Sequence, residues 1–138
     1  MALPQTKEMR IFKDPLKTKM EKFELKGLTK GVCYDAVIWE EPGIMDACIW
    51  EQKVGSELTW DMTYNIFTYI IEGDFQLTDR TTHKTYSWEK GDLVFVPVGS
   101  RLIFRTKGGG KMLYFSHPPF SKMFEIFSLK GTEIEALR

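Results

Sequence analysis

The chain has 138 residues, 43% of them hydrophobic and 28% charged, with 19 basic and 19 acidic side chains and a formal net charge of zero. This length suits one domain around one core. Neutrality argues against nucleic acid or an anionic membrane as partner, because both draw on a basic excess, and no apolar run reaches the roughly 20 residues of a spanning helix.

Residues 1–22 are dense in Lys and interrupted by Pro4 and Pro15. They read as an extended arm, suited to lying on a neighbouring subunit. Met1 to Phe12 contains no hydrophobic signal segment. Cys33 and Cys48 form no metal-type pair, and two free thiols suit a cytoplasmic chain.

From Val32 onward β-forming residues gather in short runs between turn residues, which predicts strands. The runs are Val37-Ile38-Trp39, Ala47 to Trp50, Ile66 to Ile71, Leu93 to Val96, Leu102-Ile103-Phe104 and Met112 to Phe115. Glu72-Gly73-Asp74 predicts a tight corner, where Gly takes positive φ without penalty. Asp79 to His83 reads as a polar hairpin tip between Phe75-Gln76-Leu77 and Thr85 to Trp88, leaving His83 solvated. Lys107 to Lys111, with three Gly between, predicts a flexible turn, and Pro118-Pro119 ends the strand before it. Ser121 is expected to cap a short helix through about Leu129, stopped by Gly131. Evenly spaced strands with little helix indicate an all-β sandwich or barrel. The division expected is an arm at 1–22, a barrel at 23–120 and a helix with tail at 121–138. Aromatics make up 14%, which suits a sandwich core or an aromatic-lined pocket.

Gly91-Asp92-Leu93-Val94-Phe95-Val96-Pro97-Val98-Gly99 spaces glycine, proline and glycine at fixed offsets, after a first strand that closes on Gly73. This pattern resembles the two motifs of the cupin superfamily, the RmlC-like jelly rolls. The tract Trp60 to Gly73, with Met45 to Glu51 before it, is similar to the ethanolamine-utilisation Q-type cupins. The similarity covers about residues 45–118. It implies a cupin-type double-stranded β-helix with one wide mouth and an interior lined by alternate residues of each strand.

Metal-binding cupins carry His-x-His and an acidic ligand in the first motif and one His in the second. The resemblance places these positions at Thr59, Asp61, Ile66 and Leu102. That set cannot hold a transition-metal ion, which takes three or four N, O or S ligands, and the chain has only His83 and His117. No metal and no cofactor are therefore expected, and iron dioxygenase activity is not. The same mapping makes these four positions inward-facing, and with them Thr68, Ile70, Phe104 and Thr106.

Each candidate has two readings. Asp61 is a carboxylate raised toward general acid or base use, or it bonds a turn backbone or Arg101. Trp60 and Tyr64 form a stacking wall and a phenol donor at the mouth, or they fill the core or a dimer interface. Trp50 faces the cavity or fills the core. Tyr69, of opposite parity to Ile66, is expected to pack between the sheets. His117 is an acid/base group or a hydrogen-bonded strand end. Arg101 clamps a substrate carboxylate, or pairs with Asp61 or a surface acid. Cys48 reads as a small buried hydrophobe.

The expected function is a metal-independent cupin that binds a small, partly apolar organic molecule, with Trp50, Thr59, Trp60, Ile66, Thr68, Arg101, Leu102 and Phe104 around it. The alternative is a metal-free isomerase, lyase, dehydratase or cyclase, in which Asp61, Tyr64 and His117 move protons inside a dry pocket. The Q-type likeness adds an accessory role in ethanolamine or two-carbon metabolism. Small cupins commonly pair, so the resemblance also implies a two-fold homodimer.

Overall fold

The computed structural model describes residues 8–24 and 27–119. Ten strands appear among them: β1 (Glu21–Phe23), β2 (Leu28–Lys30), β3 (Cys33–Glu41), β4 (Met45–Gln52), β5 (Glu57–Asp61), β6 (Asn65–Asp79), β7 (Thr85–Glu89), β8 (Leu93–Val96), β9 (Arg101–Arg105) and β10 (Gly110–His117). Every run predicted as a strand falls inside one of these. The helix expected at 121–129 lies outside the described residues.

The strands form two antiparallel layers. One runs β1-β3-β4-β10-β6-β8 and the other β7-β6-β9-β5-β2. β6 belongs to both. Its first half pairs with β8 and β10, and its second half, from Asp74, pairs with β7 and β9. Here the sequence reading needs correction: Glu72-Gly73-Asp74 is not a corner that ends a strand. β6 bends through it, with Gly73 at φ 72° and a register shift against Lys111/Met112. Glycine's positive φ changes the strand's direction without breaking the ladder, so one strand carries the chain from layer to layer.

The interior follows the two-residue period of the strands. Across the first layer, Asp35, Trp50, Met112 and Ile70 stand opposite one another, and Cys48, Tyr114 and Thr68 form the next row. Across the second, Leu58, Phe104 and Leu77 line up, with Trp60 beside Leu102. These residues are buried, apart from the partly buried Asp35. Phe23 joins the layers, packing edge-on to Trp50 at 4.8 Å and to Trp60 at 6.5 Å.

The segment before β1 lies on its own chain: Phe12 stacks on Trp39 at 5.6 Å, with the Arg10 guanidinium 4.6 Å over the same ring. The outer face of the first layer is aromatic. Phe67 and Phe95 are register partners with rings 5.2 Å apart, beside Tyr69, Leu93 and Phe115, and all five are exposed. Tyr69 therefore does not pack between the sheets, because its parity puts it on this outer face. No helix among the described residues is long and apolar enough to cross a membrane.

Candidate functional site: an aromatic pocket with a buried acid at its wall

A cavity with about 50 Å³ of open space lies between the layers. Trp50, Met112 and Tyr114 line it from the first layer, and Leu58, Trp60 and Phe104 from the second. Phe23, Met62, Tyr64 and Ile66 complete the lining. The Trp50 ring is held in place: its indole N–H donates to Gln52 Oε1 at 3.1 Å, and the buried Gln52 amide donates to Ser56 Oγ at 3.2 Å and to the Phe104 carbonyl at 3.4 Å. A fully satisfied buried amide fixes the aromatic it serves.

Behind Tyr114, outside the pocket lining, lies a polar cluster on β3, β4 and β10. The Tyr114 hydroxyl donates to Asp35 Oδ1 at 2.9 Å. The Ser116 hydroxyl donates to Asp46, which is 1% exposed. Burial pushes the Asp35 carboxyl up to about 7; the Tyr114 hydroxyl and the Ala36 N–H hold it down, while the nearby Asp46 charge pushes it further. Burial also raises Tyr64 and Tyr114 well above the usual phenol range and raises the Cys48 thiol, so these three stay neutral at physiological pH. A neutral phenol beside a carboxyl that titrates near neutrality can hand on a proton.

The predicted site residues divide. Trp50, Trp60, Tyr64, Ile66 and Phe104 meet in the cavity lining. Thr68 and Leu102 are buried in the neighbouring core, with the Thr68 hydroxyl donating to the Leu113 carbonyl at 3.2 Å. Thr59 and Asp61 do not line the pocket. In β5 the buried positions are Leu58 and Trp60, so Thr59 and Asp61 take the opposite face. The inward phase counted back from Gly73 is lost in the irregular stretch between β5 and β6. Asp61 instead forms an ion pair with Arg80 and lies 3.7 Å from Arg101 Nε, so Arg101 has an acid partner at the rim. His117 is exposed, and its Nδ1–H donates to the Ile44 carbonyl, away from the pocket.

Sequence reasoning missed Phe23, Leu58, Met62, Met112, Tyr114 and Asp35. The alternation Met112, Tyr114, Ser116 was the available signal for Tyr114, since it puts a phenol on the apolar face of the last strand.

At the positions where the resemblance to cupins places metal ligands, the donor set is poor. Ile66 and Leu102 offer only carbon, and Asp61 is engaged by two guanidinium groups. Among the described residues no group of three or more His, Cys, Asp or Glu side chains is placed to hold an ion. These residues do not fit a metal.

A curled pair of antiparallel sheets around an aromatic pocket, with glycine and proline turns at cupin spacing, makes this a cupin barrel. Family comparison agrees and narrows the class. A model of the ethanolamine utilisation protein EutQ matches residues 14–121, and the chain belongs to that family. No curated protein matches the sequence. Among solved structures, the EutQ protein of Clostridium difficile is similar at 19% identity over 75% of this chain and 82% of that one, with a TM-score of 0.65. The polyketide cyclase RemF from Streptomyces resistomycificus is 16% identical over 78% and 79%, at 0.68. An RmlC-like cupin from Shewanella frigidimarina is 17% identical over 78% and 90%, at 0.60. At these identities the likeness speaks for the fold.

Proposed function

We propose that the protein binds a small, mostly apolar organic molecule in the barrel pocket, without a metal, and acts in the cytoplasm rather than on nucleic acid or membrane. The observation that carries this is the lining: apolar and aromatic side chains with two phenols, Tyr64 and Tyr114, as polar handles. Small-molecule sites have this composition, with few polar groups fixing orientation. The open space is that of a compound of a few heavy atoms. The two buried free thiols suit a reducing compartment.

The test uses the pocket's own fluorophores. Small ketones, alcohols and phenols, titrated while Trp emission is followed, are expected to give saturable changes from Trp50 and Trp60. Ile66→Phe fills the cavity and should weaken binding at least roughly tenfold, about 1.4 kcal/mol. Asp61→Asn should leave affinity unchanged. Binding that survives Ile66→Phe would place the ligand elsewhere.

A second reading is a metal-free acid–base enzyme: an isomerase, lyase, dehydratase or cyclase. Asp35 beside Tyr114 favours it, and RemF shows that a polyketide cyclase has this fold. Turnover abolished by Tyr114→Phe with binding retained would select this reading over simple binding.

The exposed aromatic face supports a two-fold homodimer. Its five side chains offer roughly 500 Å² of apolar surface, enough for the core of an interface that covers about 800 Å² per partner. A chain of zero net charge does not repel its copy. Native mass spectrometry should find twice the chain mass, and Phe95→Glu, which sets a charge opposite Phe67, should give the single chain.

A further inference from the structure

Tyr114 lines the pocket and is tied directly to a titrating group that itself stays behind the wall. Asp35 stands opposite Trp50 on the inner face of β3, and Tyr114 stands opposite Cys48 on β10. The charged and titratable groups around Asp35 are Tyr114 from β10, Asp46 and Cys48 from β4, and Tyr64 from the stretch before β6. Both phenols and the thiol stay neutral, as argued above. The hydroxyl of Tyr114 carries one proton and can point it only one way. With Asp35 ionised, that proton belongs to the carboxylate, and Tyr114 offers a lone pair. With Asp35 protonated, the carboxyl can donate to Tyr114, and the phenol proton is released toward the pocket. Cys48 is another polar group at this hydroxyl, and sulfur is a weak acceptor that a ligand oxygen displaces.

We propose that Asp35 and Tyr114 form a proton-gated hydrogen-bond switch, which makes the pocket prefer a carbonyl-bearing ligand when Asp35 is protonated and a hydroxyl-bearing ligand when it is ionised. The inference rests on the pocket being a ligand site and adds the ligand class and its regulation. The gate works near neutral pH, since burial has moved the Asp35 carboxyl to about 7. A ketone has no proton to give. Above that pH it faces a phenol already committed to a carboxylate, and the unmet hydrogen bond weakens it roughly tenfold. An alcohol donates instead and keeps its bond.

The experiment compares 2-butanone with 2-butanol, near-isosteric probes that do not themselves titrate, by Trp fluorescence and NMR titration from pH 5.5 to 8.5. The ketone-to-alcohol affinity ratio is expected to fall roughly tenfold as pH rises. Asp35→Asn should remove the pH dependence, because its amide can both donate to and accept from Tyr114 at any pH. Tyr114→Phe should remove it as well and leave only apolar binding. A ratio that stays flat in the unaltered protein, with both probes bound, overturns the switch and spares the pocket. A ratio that still changes in Asp35→Asn assigns the gate to another group and also overturns it. Binding of neither probe at any pH overturns the pocket reading and the switch with it. Circular dichroism of each variant confirms that the barrel is intact.

Discussion

At pH 8, Asp35→Asn is expected to stabilise the protein by about 4 kcal/mol, and at pH 4 to change its stability little. The carboxyl moves from 3.8 to about 7 on folding, chiefly through burial. Each unit of such a shift is worth about 1.4 kcal/mol. The sign follows from proton binding, since the folded state holds this proton more tightly than the unfolded chain. Below about pH 4 both states are protonated and nothing is lost. Between about 4 and 7 the unfolded chain releases its proton while the folded protein keeps it, so stability falls as pH rises. Above 7 the full cost of a buried carboxylate is present. An asparagine in place of Asp35 has no charge to bury and still accepts from Tyr114. Urea unfolding across this range should therefore show a falling curve for the unaltered protein and, for the variant, one that lacks this component. Parallel curves would mean that water reaches Asp35 and that its charge is cheap.

That cost bears on function. A carboxylate held by one phenol and one backbone N–H, facing a second acid, is a poor way to fill a barrel. Apolar replacement at such a place is commonly neutral or stabilising. A group that lowers stability at working pH and touches the pocket wall is the kind of feature that a site retains at the expense of the fold.

The strands were legible because their signals are local. Alternation, glycine and proline mark β3, β4 and β6 to β10 without knowledge of their neighbours, while β5 was not read as a strand. Half of the pocket was legible for the same reason, since Trp50, Trp60, Tyr64, Ile66 and Phe104 are aromatic or branched residues on or beside predicted strands. Asp61 went astray through phase. Its direction was carried back across Met62 to Tyr64, where the backbone leaves the ladder, and β5 faces inward with Leu58 and Trp60. The pairing of Asp35 with Tyr114 was not legible, although alternation in the last strand pointed to Tyr114 alone. The two residues are 79 positions apart and meet only because β4 lies between β3 and β10. Nor does alternation say which of two apolar faces is the inner one, and so Tyr69 was expected inside although it lies on the outer aromatic surface.

Gly73→Ala should disable the fold more than any single change at the pocket. Gly73 has φ 72°, where an L side chain costs roughly 1–2 kcal/mol. An added Cβ would also collide with the Gly109 carbonyl and come within 2.8 Å of Gly110 Cα. Both obstacles are backbone of the chain leading into β10, and no rotamer change relieves them. The expected loss is about 3 kcal/mol or more, from a typical total of about 5–15. Gly91→Ala separates the two causes. Gly91 has φ 92°, but its Cβ would meet nothing within 4 Å, so it should lose only the conformational part. Thermal melts of the two variants should therefore differ by roughly 5 °C or more. Equal melts would mean that close approach of β6 to β10 is not what requires glycine here. A larger loss at Gly73 ties the bend to the site, because the strand that turns there presents Ile66 to the cavity before the bend and pairs Leu77 with Phe104 after it. Without the bend those two contacts cannot belong to one strand.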